Sequence, residues 1–341
     1  MEITGEISKK ITNLAQKGAK FLFLIDFDGN GEVYTPNEAR DAGILFEFQG
    51  DEPSGNPANL YIAESERAAT AMKTGKPLNV SGEFKVHPVP YATYLQAFNR
   101  ARLALQRGDT YLLNLTFATP VETQFTLDEI FKRSKARYKL LYKNRFVVFS
   151  PERFIWIHDG IVETNPMKGT IDASSPDAER KVLELPKEHF EHNTIVDLLR
   201  NDLNMVASNV KVEKFRYIEK IDTNKEPLLQ VSSLITGRLP ENYIDYLGEI
   251  VLKLLPAGSV TGAPKERTVQ IIKEIENYRR GFYTGVFGYF DGSSLDVAVA
   301  IRFIENINGQ FFYKSGGGIT ALSNPLDEYN ELLAKIYVPF I

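Results

Sequence analysis

Thr284-Gly285-Val286-Phe287-Gly288-Tyr289-Phe290, then Leu295-Asp296-Val297-Ala298-Val299-Ala300-Ile301-Arg302-Phe303, then Gln310-Phe311-Phe312-Tyr313-Lys314-Ser315, is the stretch that decides the fold class. These runs are rich in β-branched and aromatic residues and are separated by Gly, Asn, Asp and Ser, which predicts three strands; Pro325–Ile336 predicts a helix after them. Phe21–Phe27, Ile44–Phe48, Leu60–Ala63 and Leu78–Val86 have the same character, so residues 1–90 are expected to be mainly strands and turns. Tyr91, Tyr94, Leu95, Phe98 and Leu105 share one face of a predicted helix over Tyr91–Arg107, and Gly108 suits its C-terminal cap. Thr110–Pro120 reads as a strand, and Thr126-Leu127-Asp128-Glu129 as a capping box that opens a short helix. Phe146–Phe149, Arg153–His158 and Ile161–Thr164 read as a meander. Helices are expected at Asp177–Glu184, Glu188–Ala207, Tyr243–Leu255 and Glu266–Glu276, and a strand at Val210–Ile221. Strands interleaved with helices, many of the strands antiparallel, predict an α+β chain with helices lying over large sheets.

Composition limits the function. The chain has 341 residues, 43% hydrophobic and 25% charged, enough for a substantial core. Its formal charge is -4 and its pI about 5.8, so no net positive field attracts nucleic acid or anionic lipid. A small anionic substrate would need local cationic groups. Cysteine is absent, which excludes disulfides, thiolate metal sites and cysteine nucleophiles. Met1–Glu6 lacks the basic-then-apolar pattern of a signal peptide, and the apolar run Phe21–Ile25 is too short to span a bilayer, so a cytoplasmic protein is expected.

Several motifs have a plain reading beside a functional one. Asp26-Phe27-Asp28-Gly29-Asn30-Gly31 imitates the start of a calcium loop, but Asn37 stands where the bidentate Glu belongs, so a β-turn is expected. Gly258-Ser259-Val260-Thr261-Gly262-Ala263-Pro264-Lys265 lacks the spacing of a phosphate loop and reads as a tight turn leading into a helix. Ser315-Gly316-Gly317-Gly318 is either an irregular strand end or a place where backbone N–H groups approach a ligand. Glu328 and Glu331 share a face of the last helix, which Ser323 or Asn324 can cap; the pair reads as a solvated acidic face, with Lys335 supporting Glu331, or as a site for a hard cation. Asp197 and Arg200 are expected to pair. The four histidines show no metal spacing, and most are expected at the surface. Lys168, in Asn165-Pro166-Met167-Lys168-Gly169-Thr170, reads on its own as a lysine in a turn.

Taken in order, these segments resemble the chorismate-utilising enzymes, the family of anthranilate, aminodeoxychorismate, isochorismate and salicylate synthases. The matching motifs are Gly108–Thr116, Ser150-Pro151-Glu152-Arg153-Phe154, Pro166–Thr170, Glu191–Leu203, Gly258–Lys265, Arg279–Tyr283, Ile301-Arg302, Gly316–Gly318 and Glu328-Tyr329-Asn330-Glu331. The resemblance covers residues 90–340. It implies one domain over 1–341, a catalytic core at 90–340 preceded by a shortened β-rich part at 1–90, and two large stacked antiparallel sheets with helices outside. It also implies a magnesium ion held by Glu191 and Glu331 with Glu328 close by. Arg302, Tyr283 and the backbone of Gly316, Gly317 and Gly318 would hold substrate carboxylates, with Gly169, Thr170, Thr261, Lys265 and Lys335 in the same substrate site. Chorismate is a dianion, and a metal, an arginine fork and amide donors suit it.

Individual residues choose the branch. Lys168 stands where anthranilate synthases resembling this chain carry a small residue and where aminodeoxychorismate synthases commonly carry lysine. Leu112 stands where isochorismate and salicylate synthases carry a lysine base, and leucine cannot deprotonate water. The resemblance therefore implies amination at carbon 4 through a covalent Lys168 adduct at carbon 2, with Glu152 as the acid–base for the departing hydroxyl and ammonia supplied by a glutaminase subunit or taken up free. Gln230 replaces a histidine common in relatives, and Leu322 an aspartate. An anthranilate or isochorismate-type enzyme, or a noncatalytic chorismate-binding protein, stands as the alternative.

Overall fold

Phe21, Phe23 and Ile25 are buried on one side of their strand, and Leu22 and Leu24 are buried on the other. Successive side chains of a strand project to opposite faces, so this strand is covered on both sides and belongs to an interior layer. The structure, a computed structural model, describes residues 2–49, 84–173, 177–184, 186–221 and 228–339. Within them two antiparallel sheets stack face to face, as the sequence led us to expect.

The first sheet has nine strands. Its order runs Met167–Asp172, Leu228–Arg238, Ile161–Thr164, Arg153–His158, Leu295–Val299, Val286–Phe290, Phe21–Ile25 and Gly31–Tyr34, and Ser208–Ile221 also pairs with Leu228–Arg238. The second has eight, in the order Gly262–Ala263, Leu112–Thr123, Gln310–Ile319, Phe303–Ile307, Phe146–Ser150, Tyr138–Tyr142 and Ile44–Phe48, with Phe84–Val86 pairing Leu112–Thr123. Leu22, Leu24, Phe287, Tyr289 and Ala298 of the first sheet meet Phe46, Phe48, Tyr138, Leu140 and Phe303 of the second in the core between the sheets. The opposite face of the first sheet is covered by the helices Glu2–Gln16, Pro186–Asn204 and Leu247–Lys253. The opposite face of the second is covered by Tyr91–Gln106, Leu127–Arg133, Lys265–Ile275 and Pro325–Ala334. Four layers result, helix, sheet, sheet, helix, with three apolar interfaces.

Local chemistry sets several of these ends. Thr126 and Glu129 form the reciprocal capping box, with Glu129 N donating to Thr126 Oγ1 at 3.2 Å and Thr126 N to Glu129 Oε2 at 2.9 Å. Asn324 caps the last helix, accepting from Leu326 N at 2.9 Å and Asp327 N at 3.3 Å. Asp26 Oδ1 accepts from Asp28 N and Asn30 N, so this acidic loop closes on itself as a turn.

Three expectations are corrected. The described N-terminal residues open with the helix Glu2–Gln16, whose Ile7, Ile11 and Ala15 are buried against the first sheet, where strands and turns were expected. Strands at Gly31–Tyr34, Tyr138–Tyr142 and Leu228–Arg238 and a short helix at Pro36–Asp41 were not anticipated. Lys168 lies within the strand Met167–Asp172 rather than in a turn. The expected strand Leu60–Ala63, and most of Leu78–Val86, lie outside the described residues. Among the described residues no helix is long and apolar enough to cross a membrane.

Candidate active site

Two of the places where the chain passes from one sheet to the other are short and lie side by side. Ser150-Pro151-Glu152-Arg153 links Phe146–Ser150 of the second sheet to Arg153–His158 of the first, and Ala300-Ile301-Arg302 links Leu295–Val299 back to Phe303–Ile307. The crossovers bond to each other: Val299 N donates to Glu152 O and Phe149 N donates to Arg302 O, each at 3.1 Å. Glu152 and Arg302 therefore occupy adjacent corners between the sheets. Arg302 turns this corner in the left-handed region, with φ 53°. Its guanidinium lies 5.3 Å over the ring of Tyr337, and its buried Nε has no hydrogen-bond partner among the described residues. Burial opposes its charge, but the phenols of Tyr313 and Tyr337 outweigh that and hold its pKa above the ordinary value. A buried guanidinium N–H left open is a donor for an anionic ligand.

A third segment reaches the same corner. Ser259 Oγ donates a short hydrogen bond to Glu152 Oε1. Ser259 lies on the turn Gly258–Val260, where the buried Thr261 hydroxyl donates to Ala257 O at 2.8 Å. The next residues, Gly262 and Ala263, pair with Leu113 and Leu112. Gly262 has φ 125°, and a Cβ there would collide with the Leu112 carbonyl, so the pairing requires glycine. Lys265 is committed elsewhere: its amine pairs with Asp202 Oδ2 at 2.7 Å and donates to Leu254 O at 2.9 Å. Burial raises the Asp202 pKa even against that lysine.

The glycine run lies on the strand Gln310–Ile319, with Gly316, Gly317 and Gly318 opposite Thr116, Leu115 and Asn114. A methyl group would meet different neighbours at each glycine. A Cβ at Gly316 would lie 2.5 Å from Thr116 Cγ2 and 2.6 Å from Leu115 O. At Gly317 it would meet Glu331 Oε1 at 3.6 Å, Glu328 Oε2 at 3.8 Å and Lys335 Nζ at 3.8 Å, and at Gly318 Leu112 Cδ1 at 3.1 Å and Glu191 Oε2 at 3.2 Å. Three carboxylates from two distant helices thus converge on two successive glycines. Glu191 and Glu328 are 3% and 2% exposed, so Glu328 is not part of a solvated acidic face, whereas the Glu331 side chain is 40% exposed. Lys335 pairs with Glu331 at 2.7 Å and donates to Gly316 O at 2.9 Å.

Tyr283 is buried in the core between the sheets, its ring 5.9 Å from that of Phe303. Burial pushes its phenol far above the ordinary value, so it is a neutral hydrogen-bonding group. Lys168 stands opposite Val231 and Thr170 opposite Gln230, leaving Gly169 as the extra residue of a bulge. The same strand, Leu228–Arg238, carries Ser233, whose Oγ lies 2.7 Å from His192 Nε2. His192, the neighbour of Glu191, is 1% exposed and is the one fully buried histidine among the described residues.

A family model described as chorismate binding enzyme matches residues 33–340. The chain belongs to the chorismate-binding enzyme family. A protein of Haemophilus influenzae described as an uncharacterised PabA-like protein is 48% identical over 94% of this chain and 92% of its own length. Aminodeoxychorismate synthase component 1 of Escherichia coli K12 is 32% identical over 71% of this chain and 56% of its own length. Among solved structures, anthranilate synthase component I of Streptococcus pneumoniae is 27% identical with a TM-score of 0.61, covering 74% of this chain and 58% of that one. The menaquinone-specific isochorismate synthase of Escherichia coli shares the fold, with a TM-score of 0.66 at 16% identity, covering 97% and 80%.

The donor set suits the magnesium that the family resemblance implies. The glutamates offer hard oxygens, and magnesium takes one or two carboxylates, filling its other positions with water and substrate oxygens. The local field is negative: burial, reinforced by Glu328 and Glu331, drives the Tyr94 phenol far up. Among the described residues no group of three or more acidic or histidine side chains is arranged to hold a metal ion, so these glutamates would supply one or two ligands at most.

Sequence reasoning missed Ser259 as a partner of Glu152, Asp202 as a partner of Lys265, and the burial of His192. The first two are contacts between residues distant in sequence, which no local pattern reports. The third had a local signal: His192 sits on the same helical face as Ile195, Val196 and Leu199, all buried.

Proposed function

We propose that this chain aminates chorismate at carbon 4, giving 4-amino-4-deoxychorismate, as a magnesium-dependent aminodeoxychorismate synthase component of p-aminobenzoate and folate formation. The observation that carries this reading is the position of Leu112. Its Cδ1 borders Gly318 and Glu191, inside the site, where the resemblance places a lysine base in enzymes that add water. A buried leucine leaves that position without a base, so a reaction needing an activated water there is disfavoured. Lys168 supplies a nucleophile that the anthranilate branch lacks.

In this reading the neutral Lys168 amine attacks carbon 2. The allylic double bond shifts, the carbon 4–oxygen bond breaks, and Glu152 delivers the proton with which the hydroxyl leaves as water. Ammonia then attacks carbon 4, the double bond shifts back, the carbon 2–nitrogen bond breaks and the amine of Lys168 is regenerated. The proton shed by the incoming nitrogen restores Glu152. Ser259 fixes the Glu152 carboxyl toward the corner between the sheets. Arg302 and Tyr283 bind and orient substrate carboxylates. Magnesium held by Glu191 and Glu331, with Glu328 close by, would neutralise carboxylate charge on the substrate. A free lysine of pKa about 10.4 is neutral in roughly one molecule in a few thousand at pH 7, so the surroundings of Lys168 must favour its neutral form. Ammonia would come from a glutaminase subunit, because the chain has no cysteine to hydrolyse glutamine, or from the free pool.

Intact-protein and peptide mass spectrometry after incubation with chorismate and magnesium, without ammonia, tests the reading. An adduct of chorismate less one water on the Lys168 peptide is expected. Steady amination with Lys168 replaced by alanine would remove lysine from the covalent role.

A further inference from the structure

The Arg279–Tyr283 turn holds a side chain for which the proposed chemistry has no use. Arg280 is 3% exposed, and its guanidinium makes five hydrogen bonds and lies 4.6 Å over the Phe27 ring. Nη2 donates to Asn114 O at 2.6 Å, Nη1 to Val260 O at 2.9 Å and to Thr284 Oγ1 at 3.2 Å, and Nε and Nη2 form a fork on Glu276 at 2.9 and 2.7 Å. Each partner belongs to a different part of the candidate site. Asn114 is opposite Gly318, Val260 follows Ser259, and Thr284 follows Tyr283. Glu276 extends the reach: its Oε1 accepts from Thr116 N at 2.9 Å and Thr116 Oγ1 at 2.8 Å, and Thr116 is opposite Gly316. The backbone of the same turn is held from the other side. Lys314, 1% exposed and two residues before Gly316, donates to Arg280 O at 2.8 Å and pairs with Glu305 at 2.7 Å.

We propose that Arg280, oriented by Glu276, is a positioning residue that sets the glycine strand, the Ser259–Thr261 turn and Tyr283 relative to one another. The proposal rests on the site assigned above, but not on which product leaves it. A guanidinium can hold two carbonyls, a hydroxyl and a carboxylate in one plane, whereas an ammonium cannot reproduce that fork. The interior is close-packed and has few alternative arrangements, so losing the fork shifts whole segments. Misplacement of about 1 Å at a reacting centre costs on the order of a hundredfold in rate.

The test compares Arg280→Lys with Lys139→Met in the full chain. Lys139 is also buried and paired, with Glu47 at 3.0 Å, but its other partners, Phe131 O and Ser134 O, lie in the region of the Leu127–Arg133 helix, away from the site. Chorismate consumption is followed whatever the product, together with chorismate binding by calorimetry and melting temperature. The expected result is that both variants melt lower, while only Arg280→Lys, assayed well below its melting temperature, loses about tenfold or more in kcat/KM or, if turnover is absent, in chorismate affinity. Equal losses per folded molecule in the two variants, or a folded Arg280→Lys within twofold of the parent, would overturn the proposal. If Arg280→Lys is insoluble, Glu276→Gln is judged by the same criteria, with an expected loss of about threefold or more, because it keeps the shape and weakens the fork. A chain that consumes chorismate but makes anthranilate or isochorismate would refute the proposed function and leave this comparison intact.

Discussion

Alanine substitution along the glycine run should give three different outcomes. At Gly316 the new methyl would lie 2.6 Å from the Leu115 carbonyl and 2.5 Å from Thr116 Cγ2. Backbone cannot retreat the several tenths of an ångström required without opening the ladder to Leu112–Thr123. Overpacking typically costs about 1–3 kcal/mol, and Gly316→Ala is expected at or above the top of that range. At Gly317 the nearest atoms are at 3.6–3.8 Å, ordinary contact distance, and a modest gain of about 0.5 kcal/mol from a stiffer unfolded chain offsets most of any strain. Gly318→Ala is the informative case. Its methyl would lie 3.1 Å from Leu112 Cδ1 and 3.2 Å from Glu191 Oε2, so each must give by a few tenths of an ångström. The fold should survive, while Glu191 is displaced by about that amount. If 1 Å costs about a hundredfold, a few tenths should cost roughly three- to tenfold in kcat/KM, with a higher magnesium requirement. The assay is chorismate consumption against magnesium concentration at a temperature where all three variants are folded, alongside melting curves. Gly318→Ala with unchanged magnesium dependence and unchanged rate would refute the convergence of Glu191 on this strand as a functional site.

Three further outcomes are expected. Lys168→Ala should keep the fold and abolish amination at carbon 4, measured by product chromatography; amination at the normal rate would contradict the covalent role. Glu331→Ala removes a carboxylate close to Gly317 and leaves Lys335 without that pairing, so activity should fall at least tenfold and the magnesium titration should move to higher concentration; an unchanged titration would return Glu331 to a plain helix-surface role. Thr126→Ala should lower stability by about 1 kcal/mol at neutral pH, by denaturant titration. The backbone and side-chain bonds from Thr126 hold the Glu129 carboxyl below its ordinary pKa. The part carried by the Thr126 hydroxyl on the Glu129 carboxylate is present above the unfolded carboxylate pKa and is lost as pH falls through the folded one, so the gap between parent and variant should narrow in acid, leaving the Glu129 N to Thr126 Oγ1 cap bond.

Where structure depends on neighbours in sequence, the sequence was legible. The Thr126–Glu129 capping box, the Asn324 cap, the Asp26 turn and the Asp197–Arg200 pair at 2.7 Å all join residues within one helical turn. The strands Val286–Phe290 and Leu295–Val299 were legible because both faces are buried and the runs are nearly all apolar. The helix Glu2–Gln16 was obscured by its Ile and Thr residues, which read as strand formers, although Ile7, Ile11 and Ala15 repeat at helical spacing. Leu228–Arg238 was missed because Gln230, Ser232, Ser233 and Thr236 break an apolar alternation; Ser233 finds His192, and Ser232 finds Glu219 at 2.5 Å. Of the candidate site, residue types and order carried Glu152, Glu191, Arg302, Glu328 and Glu331, which the fold brings to the sheet crossing and the glycine strand. Arg280 sat within a quoted motif, but its work is done through carbonyls of Asn114 and Val260, which no sequence pattern encodes.

The central claim is tested most directly by incubating purified protein with chorismate, magnesium and ammonium, with and without a glutaminase and glutamine, and identifying the product by mass spectrometry and chromatography. The account predicts 4-amino-4-deoxychorismate with its pyruvyl group retained. Anthranilate or isochorismate as the sole product, or chorismate bound and never turned over, would contradict it.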